Sequence, residues 1–234
     1  MTWVATIVAL VALGASPQDP SDQVPAGPPA WVEEFRRVAA AHHDLRAYDL
    51  DIDAVIETGA SRTPIGANVK CDARQRCLRQ FLRSTTLETA ELSLMVNSAT
   101  RTITVTRRDP AASRPLDAID STINLERLLQ GGGSISSGDD TPGGRRWVIA
   151  TGQAALPSVE MYVDADTHLV KRVRYETTTQ QGTQTRVDVR YTWRDPSRLD
   201  PSAFEVEQFV REQSGTFTPA TAYANYSIVT STPR

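Results

Sequence analysis

The chain is short of the residues that build most catalytic and metal centres. Its 234 residues include only 2 Cys and 3 His. A metal cage with several Cys or His ligands would need nearly all of them at one point. Aromatic residues make up 6% of the chain and are not interleaved with basic ones in the pattern of nucleic-acid modules. Neither charge sign dominates: 25 Lys and Arg face 28 Asp and Glu, a net charge of −3. That excludes a globally basic nucleic-acid binder. There is no G-x-S-x-G, no H-E-x-x-H, no phosphate-binding Walker loop, and no G-x-G-x-x-G after a strand. The expectation is a protein that is not an enzyme, with no cofactor and no metal. At 40% hydrophobic residues, with 13 Gly and 14 Pro, the composition is that of a globular chain.

Long apolar runs are also missing. The run from Trp3 to Leu13 is too short for a membrane-spanning helix, which needs about 20 residues. Its length suits the apolar core of a secretory signal, and Ala12 and Gly14 are the small residues that cleavage after Gly14 requires. No Lys or Arg precedes it, so the competing readings are a buried N-terminal strand or a misassigned start. Residues 1–15 are expected to be an export signal, residues 16–29 a disordered Pro- and Asp-rich lead-in. The mature chain is then periplasmic or secreted, with no integral membrane span. In that compartment Cys71 and Cys77, in "KCDARQRC", read as one disulfide. Two buried free thiols are the alternative.

A helix is expected from about Ala30, where Trp31, Phe35, Val38, Ala39 and His42 recur at helical spacing. Strand patterns follow. Tyr48, Leu50, Ile52, Ala54 and Ile56 alternate with Asp49, Asp51 and Asp53, giving one apolar and one acidic face. Ile65, Ala67, Val69 and Cys71 repeat the alternation. The stretch from Arg76 to Arg83 suits a helical turn or a strand, and a strand fits its neighbours better. Leu92, Leu94 and Val96, then "NSATR", then Ile103 and Val105, form a hairpin pattern. A second helix is expected over Leu116–Leu129, then a flexible loop through "QGGGSISSGDDTPGGRR". Four more strands centre on Trp147 and Ile149, on Val159 to Val163, on Leu169 to Tyr175, and on Val187 to Trp193. Phe204, Val206 and Phe209 suggest a short edge element, and residues 211–234 a tail. The fold class is α+β: one domain over 30–210, a curved antiparallel sheet closed by about two helices.

Few polar clusters invite a chemical role. His42 and His43 end the first helix, where the helix dipole favours them. The Asp49, Asp51 and Asp53 row reads as a solvated face rather than a cation cage. Asp164 and Asp166 are explained by the turn "DADTH". The basic stretch is denser: from Arg62 to Arg108 there are nine Lys or Arg against three Asp or Glu. Arg74, Arg76, Arg79 and Arg83 form its core. These could face an acidic partner, or they could screen the outer face and edge of a sheet.

Four pieces together resemble the periplasmic lipoprotein-carrier superfamily, the LolA/LolB-like proteins, which includes the N-terminal domain of RseB-type regulators. They are the export signal and helix leading into "AYDLDIDAVIE"; the hairpin "ELSLMVNSATRTITVTRR"; the helix over Leu116–Leu129; and "RRWVIATGQAALPSVEMYVDADTHLVKRVRYETT" with its D-x-x-T turn. The resemblance implies a half-barrel with an apolar cavity for acyl chains. Tyr48, Leu50, Ile52, Leu92, Leu94, Trp147, Val187 and Val189 are the candidates to line it. The function expected is a non-enzymatic envelope protein that binds an acyl chain, lipid or lipoprotein-like ligand. The alternative is a protein-interaction or envelope-stress sensor domain that uses the basic patch to hold an envelope protein partner.

Overall fold

The computed structural model describes residues 30–74, 76–108, 133–141, 144–178 and 182–231. The expected export signal, the lead-in and the helix over Leu116–Leu129 lie outside the described residues. In chain order the elements are α1 (Ala30–His43), β1 (Tyr48–Thr58), β2 (Ser61–Cys71), β3 (Cys77–Phe81), β4 (Ser84–Glu88), β5 (Leu92–Asn97) and β6 (Thr102–Arg107). Then come β7 (Ser134–Thr141), β8 (Gly144–Gln153), β9 (Leu156–Val163), β10 (Val170–Thr178), β11 (Gln184–Arg194), β12 (Val210–Gln213), β13 (Thr216–Pro219) and β14 (Ser227–Ser231). The α+β class holds, with antiparallel pairing dominant and one α-helix among the described residues. No described helix is long and apolar enough to cross a membrane. The chain folds as two compact units, whose described parts are 30–43 with 133–186, and 44–108 with 187–231.

In the first unit the strand order is β10-β9-β8-β7, all antiparallel. Trp147 pairs with Met161 and Ile149 with Val159, so period-two alternation puts these four on one face. Phe35 and Val38 of α1 are buried too, and the Phe35 ring lies 5.4 Å from that of Trp147. Around this apolar contact, Arg145 Nη1 lies 3.1 Å from Glu34 Oε1, and His168 Nδ1 3.7 Å from the same oxygen. His42 Nδ1 donates to Val38 O at 2.7 Å, and its Nε2 accepts from the Val170 amide at 3.5 Å. His42 therefore helps to dock a helix end. The "DADTH" turn closes around Asp164, whose Oδ1 accepts from the Asp166 and Thr167 amides and the Thr167 hydroxyl.

The Gly- and Ser-rich stretch expected as a loop carries β7 instead, paired along β8. Its only large apolar residue, Ile135, is buried. A strand held mainly by its backbone ladder leaves little apolar alternation to read.

In the second unit the order is β14-β6-β5-β4-β3-β2-β1-β11. The pairs from β1 through β6 are antiparallel, while β14 runs parallel to β6. Following residues that stand opposite one another identifies the two faces. Leu50 faces Val69, Val69 faces Arg79, Arg79 faces Thr86, and Thr86 faces Met95. The face that is apolar on β1 and β2 still carries Cys77 and the half-buried Phe81 on β3, and is polar or exposed on β4 and β5. The buried residues Leu78, Leu87, Leu94, Val96, Ile103 and Val105 occupy the other face.

That other face is covered by the C-terminal residues. Phe204, Phe209, Val210 and Phe217 form one core with Leu78, Leu87, Leu92, Leu94, Val96, Ile103 and Val105. Each large side chain fully buried here contributes about 1.5–3 kcal/mol. The region expected to be a short edge element and a tail is therefore structural. It consists of 3-10 turns at Pro196–Arg198, Pro201–Phe204 and Val206–Gln208, the β12–β13 hairpin, and β14. Its opening turns repeat one device. Asp195 accepts from the amide and hydroxyl of Ser197, and Asp200 from those of Ser202. In each "DPS" the proline sits where the turn needs no amide donor.

Candidate functional site

The β1–β2 hairpin is long, 11 residues in each strand, and turns at Gly59, whose φ of +57° suits a two-residue hairpin loop. Its apolar row is Tyr48, Leu50, Ile52, Ala54 and Ile56, facing Cys71, Val69, Ala67, Ile65 and Thr63. The Trp193 ring meets the Tyr48 ring edge-on at 6.0 Å. The same parity along β11 adds Val187, Val189 and Tyr191 to this face. Arg194, of opposite parity, pairs with Asp51 on the reverse side.

Burial along this row is graded. Tyr48 is 2% exposed and Leu50 3%. Beyond them Ile52, Ala54 and Ile56 are only half-buried, as are Ile65, Ala67 and Val69 opposite. The row is a strip of mainly aliphatic side chains, closed at the Tyr48 end and half-buried along the rest of β1 and β2, with Val187 of β11 buried.

The closed end carries polar groups. The Tyr48 hydroxyl is buried with no hydrogen-bond partner among the described residues. Burial pushes its pKa up, with Arg79 opposing and Glu88 adding. It is therefore a neutral donor at any physiological pH. Arg79 Nη1 sits 2.9 Å from Glu88 Oε1 on the same face.

The expected cavity residues divide. Tyr48, Leu50, Ile52, Val187 and Val189 share the strip. Leu92 and Leu94 lie on the opposite face, inside the core under the C-terminal cover. Trp147 belongs to the first unit, against Phe35. Alternation tells which residues of a strand share a face, but register decides which faces are shared between strands. Ile65, Ala67, Val69, Tyr191 and Trp193 also lie on the strip. Their alternation was legible, but their common face was not.

The four arginines do not make one patch. Arg76 Nε donates to Asp72 at 2.8 Å and Nη1 to Glu205 at 2.8 Å, with the guanidinium 5.4 Å from the Phe204 ring centre. Arg79 pairs with Glu88. Arg74 is exposed in the β2–β3 loop, and Arg83 is exposed in the turn at the far end of β3. The first three approach the disulfide end; Arg83 does not.

Cys71 and Cys77 are bonded, stand directly opposite in register, and are both buried. The bond closes the loop in which Asp72 Oδ1 accepts from the amides of Arg74 and Arg76. On the acidic row, Asn68 Nδ2 donates to Asp49 at 3.1 Å and to Asp51 at 2.7 Å. No group of three or more His, Cys, Asp or Glu among the described residues could hold a metal ion.

No family model matches the sequence, and no curated protein matches it. Several solved structures are similar in fold. An uncharacterised conserved protein from Thermus thermophilus is 11% identical with a TM-score of 0.45, over 86% of this chain and 99% of that one. MucB of Pseudomonas aeruginosa, solved with MucA, is 12% identical with a TM-score of 0.42, over 74% of this chain and 60% of that one. In fold the chain is also similar to a LolA superfamily protein from Nitrosomonas europaea, 6% identical with a TM-score of 0.32, over 76% of this chain and 98% of that one.

Proposed function

We propose that this chain is a non-enzymatic exported envelope protein that holds an acyl chain, lipid or lipoprotein-like ligand along the strip of β1, β2 and β11. The observation that carries the reading is the graded burial of the strip. Tyr48 and Leu50 are closed off, while Ile52, Ala54, Ile56, Ile65, Ala67 and Val69 stay half-buried in one continuous row. Apolar surface left wet over so many neighbouring side chains has its hydrophobic stabilisation still to gain. A straight hydrocarbon chain fits a row of branched side chains along two extended strands.

The half-barrel cavity is the shape the sequence resemblance implies, and periplasmic or secreted placement accords with the signal-like run at Trp3–Leu13 and with the disulfide. The interaction-domain alternative loses much of its basic patch, because Arg76 and Arg79 are engaged by Asp72, Glu205 and Glu88.

The experiment is uptake of the hydrocarbon dye diphenylhexatriene by the purified full chain, beside the Ile65→Asp variant. The reading expects bright dye with the parent protein and loss of most of it with the variant at unchanged melting temperature. A parent protein that leaves the dye dark refutes it.

A further inference from the structure

Buried tyrosine hydroxyls in folded proteins nearly always have a partner. Tyr48 is 2% exposed, and its hydroxyl has none among the described residues. Nothing in the packing of the ring demands the hydroxyl: the ring meets Trp193 edge-on, and a phenylalanine would keep that contact. The group sits at the closed end of the apolar strip, next to Leu50 on the same face. It feels the charges of Arg79 and Glu88, the ion pair on that face two strands away. A neutral donor among apolar side chains, with a guanidinium nearby, suits an oxygen acceptor at the end of a hydrocarbon.

We infer that the Tyr48 hydroxyl donates to the carbonyl or carboxylate oxygen at the head of an acyl chain whose tail lies along Ile52, Ala54 and Ile56. The inference rests on the function proposed above and deepens it. It fixes the polarity of the ligand, head towards Tyr48 and tail towards the Gly59 turn. It also excludes plain hydrocarbons and sterols without an acyl head as the preferred class. The shared chemistry is the acyl oxygen, whether from a free fatty acid or from an ester.

The test displaces diphenylhexatriene from the full chain and from Tyr48→Phe, using oleic acid, methyl oleate and 1-octadecene. The dye and octadecene have no acceptor, so they report the strip alone. The expected result is an affinity about tenfold lower for acid and ester in Tyr48→Phe, the loss of one hydrogen bond left unmade in a buried site. Octadecene competes equally with both proteins, and the melting temperature of the free variant does not fall. Loss confined to the acid upholds the inference with a carboxylate as the acceptor, and loss confined to the ester upholds it with an esterified chain. Equal affinities of both proteins for acid and ester overturn it while leaving the strip as the binding site. A parent protein that takes up no dye overturns the function itself.

Discussion

Leu50 and Leu94 are both buried, yet they lie on opposite faces of one run of hydrogen-bonded strands. The register from Leu50 through Val69, Arg79 and Thr86 arrives at Met95, the neighbour of Leu94 that points the other way. The second unit thus buries one face of β3 to β6 with its own C-terminal residues, and leaves the other face of β1 and β2 half-covered. One face is closed by the chain itself, and the other is the face proposed above to hold the ligand.

This division separates two variants. Leu94→Ala should cost about 2–5 kcal/mol in urea unfolding, as expected for a cavity in a closed core. Dye uptake per folded molecule should stay the same. Ile52→Asp, at a half-buried position, should cost less and abolish uptake. Equal effects of the two variants on uptake would mean that the faces are not distinct.

Arg76 joins a loop to residues far along the chain through Glu205 and Phe204. Arg76→Ala should lower stability by about 1.5–3 kcal/mol, the range for hydrogen bonds to charged groups. Tryptic cleavage at Arg194 and Arg198 should quicken, because the cover is held less firmly. Charge reversal at Arg76 should lower the melting temperature as well, so a partner lost in that variant would report the fold. An unchanged cleavage rate would show that Arg76 does not fasten the cover.

Cys71→Ala with Cys77→Ala should cost about 2 kcal/mol, the loop-entropy figure for so short a ring. Calorimetry of the parent protein with and without dithiothreitol checks it, and identical traces would count against the bond.

Much of this was legible in the chain. Strong alternation identified β1, β2 and the β5–β6 hairpin, and helical spacing at Phe35, Val38 and His42 identified α1. The Cys pair, with five residues between them in a short loop, pointed to the disulfide. What alternation cannot carry is the link between strands. Cys71 stands opposite Cys77, which sets Val69 against Arg79; Cys77 and Phe81 keep to the strip's face on β3, and from β4 onward the buried apolar residues lie on the other face. Leu92 and Leu94 therefore looked like partners of Leu50 and Ile52 while facing away from them. β7 was hidden because Ser, Gly and Asp carry little apolar signal. The C-terminal cover was hidden because short turns and strands of four or five residues have too little period to detect. The repeated "DPS" at Asp195 and Asp200 was the available sign, since Asp before Pro and Ser marks a capped turn.

The Asp164 turn predicts a pH dependence. Amide hydrogen bonds from Thr167, with Lys171 at 2.9 Å, hold the carboxyl well below the usual range. Its stabilisation is fully present above the unfolded value of about 3.9 and is lost as pH falls through the depressed folded value. Asp164→Asn should therefore cost about 1 kcal/mol at pH 7. The gap from the parent protein should narrow as acid protonates the aspartate. A gap that is constant from pH 7 to pH 2 would show that the charge does not matter.

The central claim is that one face of β1 and β2 receives the ligand while the buried core of β3 to β6 does not. Amide hydrogen exchange of the full chain, with and without oleic acid, tests it most directly. Slowed exchange in Tyr48–Thr58 and Ser61–Cys71, with Leu92–Arg107 unchanged, is the predicted result. Protection confined to Leu92–Arg107, or no protection at saturating oleic acid, would contradict the claim.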